Sequence, residues 1–430
     1  MKKLLLIIPF FIFLVSAAQD KAIVAWLNNN AIPIEDATQT TVLSAFTSST
    51  PQKFTDARVF GFGEATHHTK EFFDLKAKFF KYLVEKQGVT IFIMEESYQA
   101  EEGINRWVSG GEGNINTIKQ NFLHGIWRAK EVVELLQWMR DYNTGKLREK
   151  QLRFYGMDDQ FGQGLNTKLR AYNTKYTIGI PENLLAAADS CANAPLEAGG
   201  LKKQWSDRML PKLKQIRQLL ENQSGRLSAA DAGEYYDQMR SLTYLEDYTV
   251  HVVLPYADSR DKDMYNNVLR ILEHEGPQSK AFIWAHNTHI DKKGYADYNM
   301  HSLGSRLKEH FSDGYYSVGF DFGKGKLFGT VYKNGKYNGW KIHTLEAPYE
   351  KTAAHTYLQV NSDVFFIDMQ TALANKGVAA FFNTKMKQLG LGGPGFDPAE
   401  PAFYKIKQGE HFDGLIFVKT VSEATYEFAF

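Results

Sequence analysis

Glu64, His67, Glu95, Asp158, His286 and His289 are the residues whose types and spacing can do chemistry. The segment Glu64-Ala65-Thr66-His67-His68 comes after the run Arg58-Val59-Phe60-Gly61-Phe62-Gly63, and His286-Asn287-Thr288-His289 comes after Ala281-Phe282-Ile283-Trp284-Ala285. An imidazole titrates near neutrality, so it can take a proton from water or give one to a leaving alkoxide. A carboxylate beside it, Glu64 or Glu95, can orient the ring. Glu64, His67, Glu95, His286 and His289 are also competent ligands for zinc or manganese, so a metal-bound hydroxide is a second reading of the same set. No Gly-x-Ser-x-Gly elbow occurs, and the lone Cys191 falls among helices, so an acyl-enzyme has no support.

These residues need elements to carry them. Short apolar runs read as buried strands, and in an open α/β sheet ligands bind beyond the strand C-termini. Residues 89–94 run into Glu95-Glu96, and residues 152–156 run into Asp158-Asp159. Four such strands would deliver Glu, His, Glu, Asp and His to one rim. Between Glu71 and Glu85 the residues Phe72, Phe73, Phe79, Phe80, Leu83 and Val84 form an apolar helical stripe. Lys76 stands inside it, four residues from both Phe72 and Phe80, and rim carboxylates are its natural partners unless it snorkels to solvent. The helix begins just after Glu64 and His67, where free N–H groups favour negative charge. His286 and His289 share a face if Asn287 opens a helical turn. His124, His251, His274, His310, His343, His355 and His411 read as ordinary surface or core histidines.

Strand and helix alternate from Arg58 to Gly156, which argues for crossover units and a largely parallel sheet. Residues 182–275 then read as helices alone. Strands return at 281–285, 315–322, 327–332, 340–344, 364–367 and 415–418, and Asn334-Gly335 is a hairpin signal that makes the sheet mixed. The segment Leu389 to Gly395 reads as a loop with no strand leading into it. The expected class is therefore α/β, a mixed, largely parallel sheet flanked by helices, with a helical insertion at 182–275 and an α/β core in 19–181 and 276–430.

Met1-Lys2-Lys3, an apolar stretch from 4 to 15 and Ser16-Ala17-Ala18 read as a signal peptide over residues 1–18, cleaved after Ala18, so the mature protein is expected in the periplasm or outside the cell. One cysteine leaves no internal disulfide, so burial alone must hold the fold. With 50 basic and 49 acidic residues, net charge +1, nothing points to a nucleic acid or a membrane as partner. Aromatic content of 14% suits a groove for an apolar ligand as well as a core. The sequence does not set the oligomeric state.

At these residues the chain resembles the erythromycin esterase family. The likeness lies in Gly63-Glu64-Ala65-Thr66-His67 with Glu71-Phe72, Met94-Glu95, a helix containing Trp127, Glu131, Trp138, Arg140, Tyr142 and Asn143, then Tyr155-Gly156-Met157-Asp158, Trp284-Ala285-His286-Asn287-Thr288-His289 and Phe412-Asp413-Gly414. It implies hydrolysis of a carboxylic ester or lactone, with His67 as general base for water and no metal required. The residues themselves suggest His67, Glu64, Glu95, His286, His289 and Lys76 as the catalytic set, with Glu64 or Glu95 orienting His67, His286 or His289 serving the alkoxide or oxyanion and Lys76 adding positive charge, while His68, Glu71, Trp127 and Asp158 are expected to contact the substrate. Two departures stand out: His68 replaces the glycine common in the family, and Lys76 replaces an arginine, keeping charge but not the bidentate fork. A third reading is an exported binding protein that keeps the pocket and lacks turnover.

Overall fold

The computed structural model describes residues 20–196, 201–253, 256–295, 300–333, 336–391 and 403–426. The expected leader 1–18, the Asn334-Gly335 turn and residues 392–395 lie outside the described residues. The strands are β1 (Ile32–Pro33), β2 (Val59–Phe62), β3 (Ile91–Ser97), β4 (Arg153–Asp158), β5 (Ala281–Trp284), β6 (Tyr315–Lys333), β7 (Lys336–Leu345), β8 (Val364–Asp368), β9 (Met386–Leu389), β10 (Phe403–Ile406) and β11 (Gly414–Val421). Nine of them form one sheet in the order β1-β8-β11-β6-β2-β5-β3-β4, with β7 paired to β6. The run β11-β6-β2-β5-β3-β4 is parallel, while β1, β7 and β8 pair antiparallel.

Parallel strands are buried on both faces, and successive side chains point to opposite sides. Phe60, Phe62, Phe92, Phe282 and Trp284 accordingly enter one core layer, and Val59, Ile91, Ile93, Ala281 and Ile283 enter the other. Phe282 stacks on Phe62 at 4.9 Å and on Phe92 at 5.8 Å between ring centres. The helices Lys70–Gln87 and Lys130–Asn143 cover the first face. Tyr256–Glu275, Leu303–Phe311 and the helix over residues 20–30 cover the second. In Lys70–Gln87 the aromatic stripe is wholly buried, each Phe contributing about 1.5–3 kcal/mol by area. The helix ends where Gly88 turns left-handed at φ 69° and Val89 N–H donates back to Leu83.

Three local expectations change. Residues 315–322 and 327–332 are one strand, because at Gly325 β6 hands its pairing from β11 to β7, and φ +134° there leaves a Cβ 2.0 Å from the Val421 carbonyl oxygen. A strand, β9, does lead into Leu389, where its Met-Lys-Gln-Leu sequence hid it; pairing with β10 makes it a strand. Trp127 sits in a short turn, Gly125–Arg128, before the helix rather than within it.

Helices from Leu165 to Leu245 build a satellite core from Leu169, Leu185, Leu213, Ile216, Leu220 and Leu242, among others. They are tied to the sheet where Tyr244 Oη donates to the Gly156 carbonyl at 2.7 Å and Arg240 clamps Glu101 at 2.7 and 2.9 Å. The next helix, Tyr256–Glu275, instead lays Met264, Val268, Ile271 and Leu272 on the sheet. Among the described residues no helix is long and apolar enough to cross a membrane.

Candidate active site

β5 lies between β2 and β3, and Phe62, Trp284, Met94 and Gly156 stand level across the four strands. The segments leaving these strands therefore emerge on one rim. After β2 the chain is held by Gly63 N–H on Val318 O (2.9 Å), Asn287 N–H on Glu64 O (2.9 Å) and His67 N–H on Leu391 O (3.3 Å). A Cβ at Gly63 would meet Asn287 Oδ1 at 2.2 Å, so only glycine lets the two histidine turns pack together.

The first cluster gathers on this turn. Glu64 is buried, with one carboxylate oxygen 2.6 Å from His67 Nδ1 and the other paired to Lys76 Nζ. Lys76 is itself completely buried, its ammonium 4.1 Å from the centre of the Trp284 ring and within cation–π range of Phe73 and Trp127. Burial lowers its pKa to about 8 against the pull of Glu64. The misplaced lysine does not snorkel; it sits on the Glu64 carboxylate. Glu64 engages Nδ1 of His67, which leaves Nε2 as the ring nitrogen turned away from that carboxylate. The His67 ring lies 5.0 Å from that of His286 and edge-on to Trp127 at 5.8 Å.

His286 caps the short helix Asn287–Ile290, its Nδ1 accepting from Thr288 N–H at 3.3 Å. Burial and the neighbouring His67 push its pKa well below the usual range, so the ring is neutral and its proton rests on Nε2. That buried Nε2 has no hydrogen-bond partner among the described residues.

The second cluster surrounds Glu95, which accepts from His286 N–H at 2.8 Å and from Arg260 Nη2 at 2.8 Å. Arg260 also grips Asp158 through Nε at 3.0 Å and Nη2 at 2.6 Å. His289 places Nδ1 3.0 Å from both oxygens of Asp261 and Nε2 3.2 Å from Glu95. Burial opposes a charge on His289, but Asp261 and Glu95 outweigh both burial and nearby Arg260 and raise its pKa to about 10. Burial likewise opposes ionisation of Glu95, yet His289 and Arg260 hold it well below the carboxylate range. Trp127 Nε1–H donates to the Glu95 backbone carbonyl at 2.8 Å, fixing the indole beside His67.

Glu64, His67, Lys76, Glu95, Trp127, Asp158, His286 and His289 thus converge. Glu71 does not join them: its carboxylate accepts from Ser422 N–H (2.7 Å) and Oγ–H (2.6 Å), tying the helix to the end of β11. His68 adjoins the site but faces Tyr426 Oη at 2.7 Å, with Phe328 and Trp340 packed on its ring. The five proposed metal ligands at the rim already have Lys76 and Arg260 seated on their carboxylates.

Sequence reasoning overlooks Arg260, Asp261 and His124. His124, read as ordinary, places Nε2 3.4 Å from Asp158. Arg260 and Asp261 continue the stripe of Met264, Val268 and Ile271 at helical spacing, the same signal that marked Lys76. His124 sends no such signal, since it stands in a turn without periodicity.

The erythromycin esterase family profile matches residues 84–421, a span that takes in Glu95, Asp158, Arg260, His286 and His289 but starts after Glu64, His67 and Lys76. Erythromycin esterase type II of Escherichia coli is 23% identical over 407 residues, covering 86% of this chain and 92% of that protein. A Bacillus cereus protein of known crystal structure shares the fold with a TM-score of 0.82 at 24% identity, over 95% of this chain and 99% of its own. A mutant erythromycin esterase, solved in its open conformation, shares it with a TM-score of 0.65 at 15% identity, over 91% and 97%. The profile spans far more than half of the sequence, so the chain is a hydrolase that belongs to the erythromycin esterase family.

Proposed function

We propose that the protein cleaves a carboxylic ester or lactone by direct attack of water, with His67 as the general base. The observation that carries this reading is the 2.6 Å contact of His67 Nδ1 with buried Glu64, which fixes the tautomer and turns the basic nitrogen outward. Lys76 is ion-paired to the other oxygen of Glu64, so the imidazolium formed on proton abstraction meets a carboxylate already held in place. Beside His67, with ring centres 5.0 Å apart, the buried Nε2 of His286 has no hydrogen-bond partner among the described residues, and its N–H would donate to the oxyanion that develops on the carbonyl oxygen. The proton taken by His67 then passes to the leaving alkoxide, and carboxylic acid and alcohol depart. Charged His289 with Arg260 holds Glu95 ionised, and Glu95 in turn accepts from the backbone N–H of His286 and sets that ring's position.

No step in this mechanism passes through a metal, because the positive charge beside both carboxylates comes from Lys76 and Arg260. With residues 1–18 removed as a leader, the enzyme would act in the periplasm or beyond on a small-molecule ester. The test is a panel of macrocyclic lactones, simple lactones and aryl esters, run in ¹⁸O-labelled water in a single turnover. One labelled oxygen in the acid product and no acyl-enzyme by mass spectrometry supports water attack. No turnover of any panel member, with binding retained, points instead to a binding protein.

A further inference from the structure

A second group of ionisable residues lies behind Asp158 and takes no part in the chemistry above. Asp159 comes directly after the end of β4, His251 closes the helix Ala232–His251, and Asp263 stands two residues beyond Asp261 in the helix Tyr256–Glu275. One ligand atom from each lies within 4.8 Å of the others, the one such group of three among the described residues. His251 Nδ1 is 3.5 Å from Asp159 Oδ1 and 3.9 Å from Asp263 Oδ2.

Asp159 is 1% exposed, and neither of its carboxylate oxygens has a hydrogen-bond partner among the described residues. A buried carboxylate without donors is unfavourable, and such orphans ask for a missing partner. Its neighbours make matters worse, since Asp263, Asp158 and Asp247 all repel it. The two guanidiniums at hand are spoken for, Arg260 on Asp158 and Arg270 on Asp247. Among the described residues, two carboxylates therefore remain around one imidazole with no arginine or lysine seated on them.

We propose that Asp159, His251 and Asp263 bind one divalent transition cation, manganese or zinc, that pins the helix carrying Arg260 and Asp261 to the end of β4. The donor set argues for this class: imidazole nitrogen with two carboxylate oxygens suits zinc or manganese, whereas calcium takes oxygen ligands. Zinc bonds of roughly 2.0–2.2 Å place adjacent tetrahedral ligand atoms about 3.4 Å apart, close to the separation of His251 from Asp159. Asp263, its carboxylate 3.9 Å from His251 Nδ1 and its side chain 13% exposed, supplies the third ligand and leaves water access for the remaining position. Such a cation joins three segments that converge beneath Arg260, so its effect falls on the rigidity of the rim and not on the bond-breaking step.

The experiment uses the full chain purified without chelator, its metal content measured, then stripped and titrated with Mn²⁺ and with Zn²⁺ by calorimetry and thermal melting. One equivalent bound per chain, a melting temperature that rises with metal concentration, loss of both in Asp159→Asn and His251→Gln, and unchanged binding in His67→Ala support the site. The last variant separates it from the rim. Binding that survives in Asp159→Asn overturns the proposal, as does no binding of either ion up to about 1 mM, well above the range a resident ion needs. Should Asp159→Asn melt higher than the parent while the parent ignores both ions, the group shares a proton and the cation site is ruled out.

Discussion

The two halves of the rim are built from the same residue types and behave differently. Around β2, Lys76, Glu64 and His67 form a short line that ends at the His67 ring. Around β3 and β5, Glu95, Asp158 and Asp261 close on Arg260 and His289, a network in which the charges face one another. The contrast extends to two histidines of one turn: His286 is neutral with an unpartnered Nε2, and His289, three residues on, is charged and held between two carboxylates. Reactivity belongs where hydrogen-bonding capacity is left over. A saturated network holds shape and charge.

The sharpest way to break this comparison is His67→Ala. It should lower kcat/KM for a turned-over ester by about 10²–10⁴-fold, the usual worth of a general base, with little change in the urea midpoint. Equal losses of activity and stability would mean that the first cluster is structural. Arg260→Met should do the reverse, removing about 3–5 kcal/mol of stability in urea titration because it strands Glu95 and Asp158 in the interior. A stable, inactive Arg260→Met protein would move the arginine from support to chemistry.

A smaller effect lies in pH. Lys76, with a pKa of about 8, loses its charge as pH rises through that value, and with it the positive charge paired to Glu64 beside His67. The kcat/KM profile should turn down as pH rises through about 8, while His289 stays charged to about pH 10. In Lys76→Arg the charge persists, so the alkaline limb of the kcat/KM profile should disappear; an unchanged limb would detach it from Lys76. The smallest effect is expected of Glu71→Gln, which weakens the bonds to Ser422 and should cost about 1–2 kcal/mol on thermal melting, with KM unaltered. A raised KM would return Glu71 to the substrate.

Much of the site is legible in the sequence because burial leaves a local signature. Each rim strand is an apolar run that stops at a polar residue, and Lys76 betrays itself by interrupting a helical stripe. Arg260 and Asp261 carry the same mark and could be found by it. The lone apolar steps in β9 and β10 could not, since two-stranded pairing rather than composition makes them strands. His124 and His251 read as ordinary because a histidine in a turn or at a helix end has no periodic neighbour to contradict.

The amino-acid order alone determined the parallel α/β core, the rim at the strand ends and the identities of Glu64, His67, Glu95, His286 and His289, because alternation, helical period and strand length are properties of neighbouring residues. Only the tertiary structure decided which charge meets which. Inserting β5 between β2 and β3 sets His286 against both His67 and Glu95, and the return of the helix Tyr256–Glu275 to the sheet brings Arg260 onto Glu95 and Asp158. A buried charge must find a partner in space, and distance along the chain says nothing about which partner the strand order will supply.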